Sequence, residues 1–275
     1  MAKIDRLGWA DGMSFTSYGV RLGLRVNDKA LLSQLLERLP PSAKPSPVRT
    51  VNHLYSLTGF ADGANGRLRR FNLGYWNLTR FVRTRRFADL LDQFESHLQL
   101  TVAEYAPRHI FVHAGVVAWN GNAILIPGPS FSGKSTLVAE LLRAGATYYS
   151  DEYAVIDDQG KVLPYPRDLR IRSGRSNEPD RVKATEYGST IGAKRLPLAL
   201  IFSTSYKAGA RYRPKALTPG QAVLELLANT VSARSQPEMA LSYLSKAVAR
   251  ATTFKGARGE AREVTEAILR LGSNS

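Results

Sequence analysis

Gly128-Pro129-Ser130-Phe131-Ser132-Gly133-Lys134-Ser135 decides how this chain is read. The octapeptide satisfies G-x-x-x-x-G-K-[ST] in full, and it stands between an apolar run at 123–126 and a stretch of helical spacing, Lys134–Arg143. A strand, a glycine loop and a helix start are the parts a phosphate cradle needs. Glycine lets the backbone close around the phosphates, and the helix start aims unpaired N–H groups and a partial positive charge at them. The expected cradle for a nucleoside triphosphate is Gly128, Ser130, Ser132, Gly133, Lys134, Ser135 and Thr136. Lys134 would bridge the outer phosphates, and the Ser135 hydroxyl would complete the shell of a magnesium ion. An ordinary glycine turn before a helix is the competing reading.

Such a cradle also needs a carboxylate for its metal, and two candidates compete. Asp151 and Glu152 follow a short strand at 146–149, which itself follows the helix. In a strand–helix–strand unit the second strand runs parallel to the first, so its carboxyl end falls beside the loop. Asp157 ends Tyr153-Ala-Val-Ile-Asp157 in the manner of a Walker-B strand. Yet Asp157-Asp158-Gln159-Gly160 reads as a hairpin turn. At ~3.3 Å per residue, Asp157 stands ~20 Å along the strand from Asp151. The expected metal ligands are therefore Ser135, Asp151 and Glu152, and Asp151 is the expected catalytic carboxylate. His113 is the third piece. It lies in the strand at 110–119, joined to the strand feeding the loop by the turn Asn120-Gly121-Asn122. A hairpin there would carry His113 toward the phosphates. A histidine in an apolar strand is otherwise a hydrogen-bonded core residue.

Taken together, His113-Ala-Gly, the octapeptide with Thr136, Ser150-Asp-Glu152 and Leu163-Pro-Tyr-Pro-Arg167 resemble the catalytic domain of HPr kinase/phosphorylase. The resemblance is closer still to HPr-kinase-like proteins of other pathways, including kinases that tailor peptides. It covers roughly residues 109–172. It implies a fold related to phosphoenolpyruvate carboxykinase, and transfer of a phosphoryl group from ATP, with Mg2+, to a serine hydroxyl. By the same resemblance His113 lies near the transferred phosphoryl and Lys134 on the phosphates. The acidic pair supplies the base and supports the metal, Arg167 contacts phosphate, and the protein forms homo-oligomers. The pair here is Asp-Glu where those enzymes carry Asp-Asp. Their following Arg-Gly-rich signature is not found, so HPr itself and the reverse, phosphorylase reaction are not carried over.

Outside this stretch the sequence is less specific. Residues 14–26 read as a strand, 29–39 as a helix capped by Asp28, 48–57 and 68–76 as strands, and 84–106 as a long amphipathic helix. The texture changes at Pro107, so the expected domains are 1–106 and 107–275. Further elements are expected at 198–203, Pro219–Leu227, 238–248 and 261–271. The expected fold is mixed α/β, an HPr-kinase-like P-loop catalytic domain with a smaller N-terminal α+β domain. The chain has no cysteine, which excludes disulfides, zinc–thiolate sites and thiol catalysis. Residues 1–6 lack the apolar core of a secretory signal, and no run approaches the ~18 apolar residues of a membrane span. A cytoplasmic protein off the membrane is the expectation.

The net charge is +15, and residues 161–215 alone hold 13 basic against 4 acidic residues. Such a field favours an anionic hydroxyl acceptor, whether peptide, protein or small molecule. Arg170 and Arg172 share strand parity, and Arg167 and Arg175 flank them. Arg211, Arg213 and Lys215 alternate around Tyr212, and Arg67, Arg69 and Arg70 form another group. Basic residues among aromatics also suit nucleic acid, but no nucleic-acid-binding fold is recognised, and that partner is not favoured. The alternative to a kinase is a nucleotide-gated binding protein or NTPase with little phosphoryl transfer. Asp151 beside the loop favours the kinase.

Overall fold

The computed structural model describes residues 3–48, 50–60, 71–129, 132–171 and 180–273. Ser130, Arg67, Arg69, Arg70, Arg172 and Arg175 lie outside them. The chain is mixed α/β and divides into two compact units, Met1–Pro107 and Arg108–Ser275.

Among the described residues the first unit holds a six-stranded sheet and two α-helices, after a short 3-10 turn at Lys3–Arg6. Strands β1 (Asp11–Ser17) and β2 (Val20–Val26) precede helix α1 (Lys29–Leu36). Then come β3 (Lys44–Ser46), β4 (His53–Thr58), β5 (Asn72–Trp76), β6 (Thr79–Thr84) and helix α2 (Phe87–Tyr105). The sheet order is β3-β1-β2-β4-β5-β6. The single strand expected at 14–26 is a hairpin, with Ser17 opposite Val20. Its turn uses Tyr18 at φ 47° and Gly19 at φ 87°. Tyrosine is uncommon in the left-handed region, so residue type gave no turn signal. Asp28 caps α1 as expected, accepting from the Ala30 N–H at 2.9 Å. On α2, Leu90, Phe94, Leu98 and Val102 are fully buried along one stripe.

The second unit is built on an eight-stranded sheet. Strands β7 (His109–Trp119) and β8 (Asn122–Pro127) form a hairpin. Asn120 and Gly121 at its turn both take positive φ, the geometry that matches strand twist. Helix α3 (Lys134–Arg143) follows, then β9 (Thr147–Ser150), β10 (Tyr153–Asp157), β11 (Val162–Leu163), β12 (Leu169–Ile171) and β13 (Asp180–Val182). The chain continues with β14 (Leu198–Tyr206), β15 (Lys215–Ala216), α4 (Pro219–Leu227), α5 (Pro237–Val248), β16 (Thr252–Arg258) and α6 (Ala261–Ser273). The sheet order is β11-β10-β7-β8-β14-β16-β15, with β9 also on β7, while β12 and β13 pair apart.

Helices cover both faces of this sheet. Val117, Ile124, Ile126, Leu200 and Phe202 pack with α3 and α6. Val112, Ala114, Val116, Leu125 and Ile201 pack with α4 and α5. That is the two-residue period of a strand, and burial on both faces explains why these strands read as unbroken apolar runs. Leu137, Val138, Leu141 and Leu142 anchor α3, each buried side chain contributing roughly 1.5–3 kcal/mol. Gly115 makes that contact possible, since a Cβ there would stand 2.5 Å from a Val138 methyl. Residues 211–214 form no strand, so Arg211 and Arg213 do not alternate as expected. Tyr212 instead packs on Phe202, ring centroids 5.0 Å apart.

Candidate phosphate-binding site

Strands β8, β14 and β16 run parallel, so their carboxyl ends lie together. This is where an open α/β sheet binds ligands. The loop from Gly128 leaves β8 at that end and enters α3 through Gly133, whose φ of 85° is the left-handed conformation glycine adopts freely. Among the described residues no side chain caps α3, so its first N–H groups are left for a ligand. The Lys134 ammonium folds back onto the loop and donates to the Pro129 carbonyl at 2.7 Å. Ser132 Oγ is shielded and has no hydrogen-bond partner among the described residues.

β7 brings the acidic residues to this loop. Its first half reaches past the end of β8, where Ala114 pairs with Pro127 and the His113 carbonyl accepts from the Gly128 N–H at 3.2 Å. β9 and β10 lie end to end along the other edge of β7, with Ser150 opposite Val116 and Tyr153 opposite His113. Asp151 and Glu152 fill the break between them. The break is held by Ser150 Oγ, which accepts from the Glu152 and Tyr153 N–H groups at 3.2 and 3.0 Å. β9 therefore runs in the direction of β8, with β7 between the two.

The charges here act on one another. Burial lowers the Lys134 pKa, while Asp151 and Glu152 raise it. Burial pushes Asp151 up to about 7, against the opposing pull of Ser135, the Arg170 N–H and Lys134. His113 is lowered by burial and then by Lys134, so it is neutral near pH 7. Its Nδ1 stands 4.0 Å from Glu152 Oε1, too far for a hydrogen bond.

A divalent cation fits this donor set. Asp151 Oδ1 is shielded with no hydrogen-bond partner among the described residues, and Oδ2 meets a marginal donor, the Arg170 N–H at 3.5 Å. Ser135 is the side-chain hydrogen-bond partner of this carboxylate, and a carboxylate with an oxygen left open beside a serine hydroxyl and a glycine loop is a donor set of the kind magnesium takes. Magnesium borrows its remaining ligands from substrate and water. The described residues hold no cluster of three His, Asp or Glu side chains that would bind a metal unaided.

Of the other sequence candidates, Thr136 is exposed in the first turn of α3. Arg167 is half-buried, and its carbonyl accepts from the Tyr148 hydroxyl at 2.6 Å. Arg170 is exposed on β12. Asp157 lies at the far end of β10, opposite His109, where it accepts from the Gln159 and Lys161 N–H groups and pairs with Arg195 at 3.3 Å.

A solved structure similar to this chain is that of the Hpr(Ser) kinase/phosphatase from Coxiella burnetii. The match covers 60% of this chain and 94% of that one, at 13% identity and a TM-score of 0.33. No protein-family model and no curated protein matches the chain. Among the described helices none is long and apolar enough to cross a membrane.

One residue of the loop's support has no counterpart among the sequence candidates. Arg258, at the carboxyl end of β16, is 2% exposed and donates to the Gly133 carbonyl at 2.8 Å and to the Gly259 carbonyl at 3.0 Å. A Cβ on Gly133 would stand 2.7 Å from its guanidinium. Arg258 thus braces the loop from behind, as a positioning residue. The available signal was the β-rich start of its strand, Thr252-Thr-Phe254.

Proposed function

We propose that this protein is a kinase of HPr-kinase type. It would transfer the terminal phosphoryl group of ATP to the hydroxyl of an anionic acceptor, with a serine of a peptide or protein foremost. The observation that carries the proposal is the meeting of Lys134, at the start of α3, with Asp151 and Glu152, delivered along the edge of β7. A triphosphate bound by the loop would have its outer end facing the Asp151 carboxylate, which burial raises to about 7 in the metal-free protein and which is placed to act as a general base.

In the mechanism, the α3 N–H groups and Lys134 hold the phosphates and neutralise charge. Ser135, Asp151 and Glu152 would hold Mg2+, which would supply charge neutralisation for the transfer. Asp151 takes the proton of the acceptor hydroxyl as its oxygen bonds to the terminal phosphorus. The bond from that phosphorus to the bridging oxygen breaks, and the diphosphate leaves. Neutral His113 lies on the α3 face of β7 and offers an N–H to the transferred group without adding a competing charge.

The test uses synthetic serine peptides flanked by acidic, neutral or basic residues, incubated with Mg·ATP. The acidic set is expected to be phosphorylated preferentially, and the preference to fall as the Debye length shrinks from ~10 Å at 0.1 M salt to ~3 Å at 1 M. Phosphate release without labelling of any peptide or extract component would replace the kinase with an NTPase.

A further inference from the structure

Arg170 and Arg181 stand directly opposite each other where β12 pairs with β13, between the pairs Leu169–Val182 and Ile171–Asp180. Opposed residues of an antiparallel pair share one face, with Cβ atoms about 4.5–5.5 Å apart. Leu169 is fully buried and Ile171 packs against the same core beneath α3, so alternation along the strand turns both arginines away from that core. Both are exposed. The strand pair is tied to the acidic residues of the site. The Arg170 N–H meets Asp151 Oδ2 at 3.5 Å. Burial raises the Glu152 pKa, and the Arg170 charge, then that of Lys134, acts against it. Arg170 thus works inward on Glu152, and the register sets a second guanidinium, that of Arg181, alongside it. Like charges directly opposite destabilise a pair of strands, and an anion brought between them relieves the repulsion.

We infer that Arg181, seated beside Arg170, is a specificity-determining residue for the acceptor, and that it binds the side-chain carboxylate of an acidic residue close to the serine that is phosphorylated. The inference rests on the phosphoryl-transfer reading above, and it assigns the preference for acid to one strand pair instead of the net charge of the region. An acceptor hydroxyl must come to Asp151 to give up its proton, and the Arg170 backbone already stands at that carboxylate. In an extended peptide, residues two apart point to the same side and lie ~7 Å from each other. A serine turned toward Asp151 therefore turns the residue two places away toward the arginine pair. Arginine suits this task because its planar fork holds both oxygens of a carboxylate at once.

Steady-state phosphorylation of serine peptides at saturating Mg·ATP tests this, with sets identical except for Asp, Asn or Lys two residues before or two residues after the serine. Wild-type protein should favour Asp over Asn at one of these positions by about tenfold in kcat/KM, the scale of a hydrogen bond to a charged group, and the gain should lie in KM. Arg181→Gln should bring that ratio close to one. Arg181→Glu should invert it, so that the Lys peptide becomes the better substrate. An arginine that only held the two strands together would, on removal, slow all three peptides alike and leave their ratios as they were. Each ratio is read within one sample, so a partly unfolded variant still reports it. Unchanged ratios in both variants overturn the inference, as does a wild type that does not distinguish Asp from Asn, and both results leave the kinase standing. Wild-type protein that phosphorylates none of the peptides is a different result, and it overturns the serine-acceptor reading as well.

Discussion

Lys134→Ala is expected to weaken Mg·ATP binding by about 10–100-fold and to abolish turnover, with the melting temperature almost unchanged. The Lys134 ammonium is the cation of the loop, and it donates to the Pro129 carbonyl, a contact that a bound phosphate would replace. Charge-assisted hydrogen bonds to phosphate are each worth about 1.5–3 kcal/mol, which sets the loss of affinity. Lys134 is half-buried at the start of α3 and contributes none of the helix's apolar anchor. Stability should therefore shift by no more than about 0.5–1 kcal/mol. Calorimetry and thermal unfolding on the same sample separate the two effects, and wild-type affinity in the variant would remove the phosphate loop from the account.

The second large effect belongs to the acidic pair. Asp151→Asn should keep nucleotide binding yet lose phosphoryl transfer by at least ~10²-fold, the scale of a general base. Asp157→Asn should leave transfer intact and cost about 1 kcal/mol of stability, because its contacts are a turn cap and Arg195. The opposite ranking would move the metal and base to the far end of β10. Asp151 also gives the metal-free protein a pH signature. Its folded pKa of about 7 lies above the ordinary 3.8, so the folded state binds a proton that the unfolded chain releases. The stability from that proton is full below the unfolded value and is lost as pH rises through about 7. With magnesium chelated, urea unfolding at about pH 5 and about pH 8 should show Asp151→Asn gaining on wild type at the higher pH. A constant difference would mean that Asp151 does not titrate there.

The parts of this chain that the sequence made legible are those where local chemistry and tertiary structure agree. Lys134–Arg143 follows a glycine loop and repeats apolar residues at helical spacing, and it is α3 residue for residue. Pro219–Leu227 is likewise α4, started by Thr218 and Gln221 in a capping box. The turn at Asn120-Gly121 carries the residue types its dihedrals require. The hairpin at Tyr18-Gly19 does not, and so two strands read as one. Asp151 and Glu152 could be placed near the loop because strand direction after a crossover helix follows a rule. That β7 would lie between β8 and β9 follows from no local signal. Arg258 is the extreme case. It reaches Gly133 across 125 residues of chain, and only the order β8-β14-β16 puts them side by side.

The most direct measurement of the central claim uses ATP labelled in the terminal phosphate and, separately, in the phosphate next to the ribose. Each is incubated with magnesium, the protein and the acidic serine peptides. The account predicts that label from the terminal position alone appears on the serine hydroxyl, with the diphosphate as the second product. Transfer of the ribose-proximal label would mean nucleotidyl transfer. Label found only in inorganic phosphate, with no hydroxyl modified in the peptides or in added cell extract, would contradict the kinase.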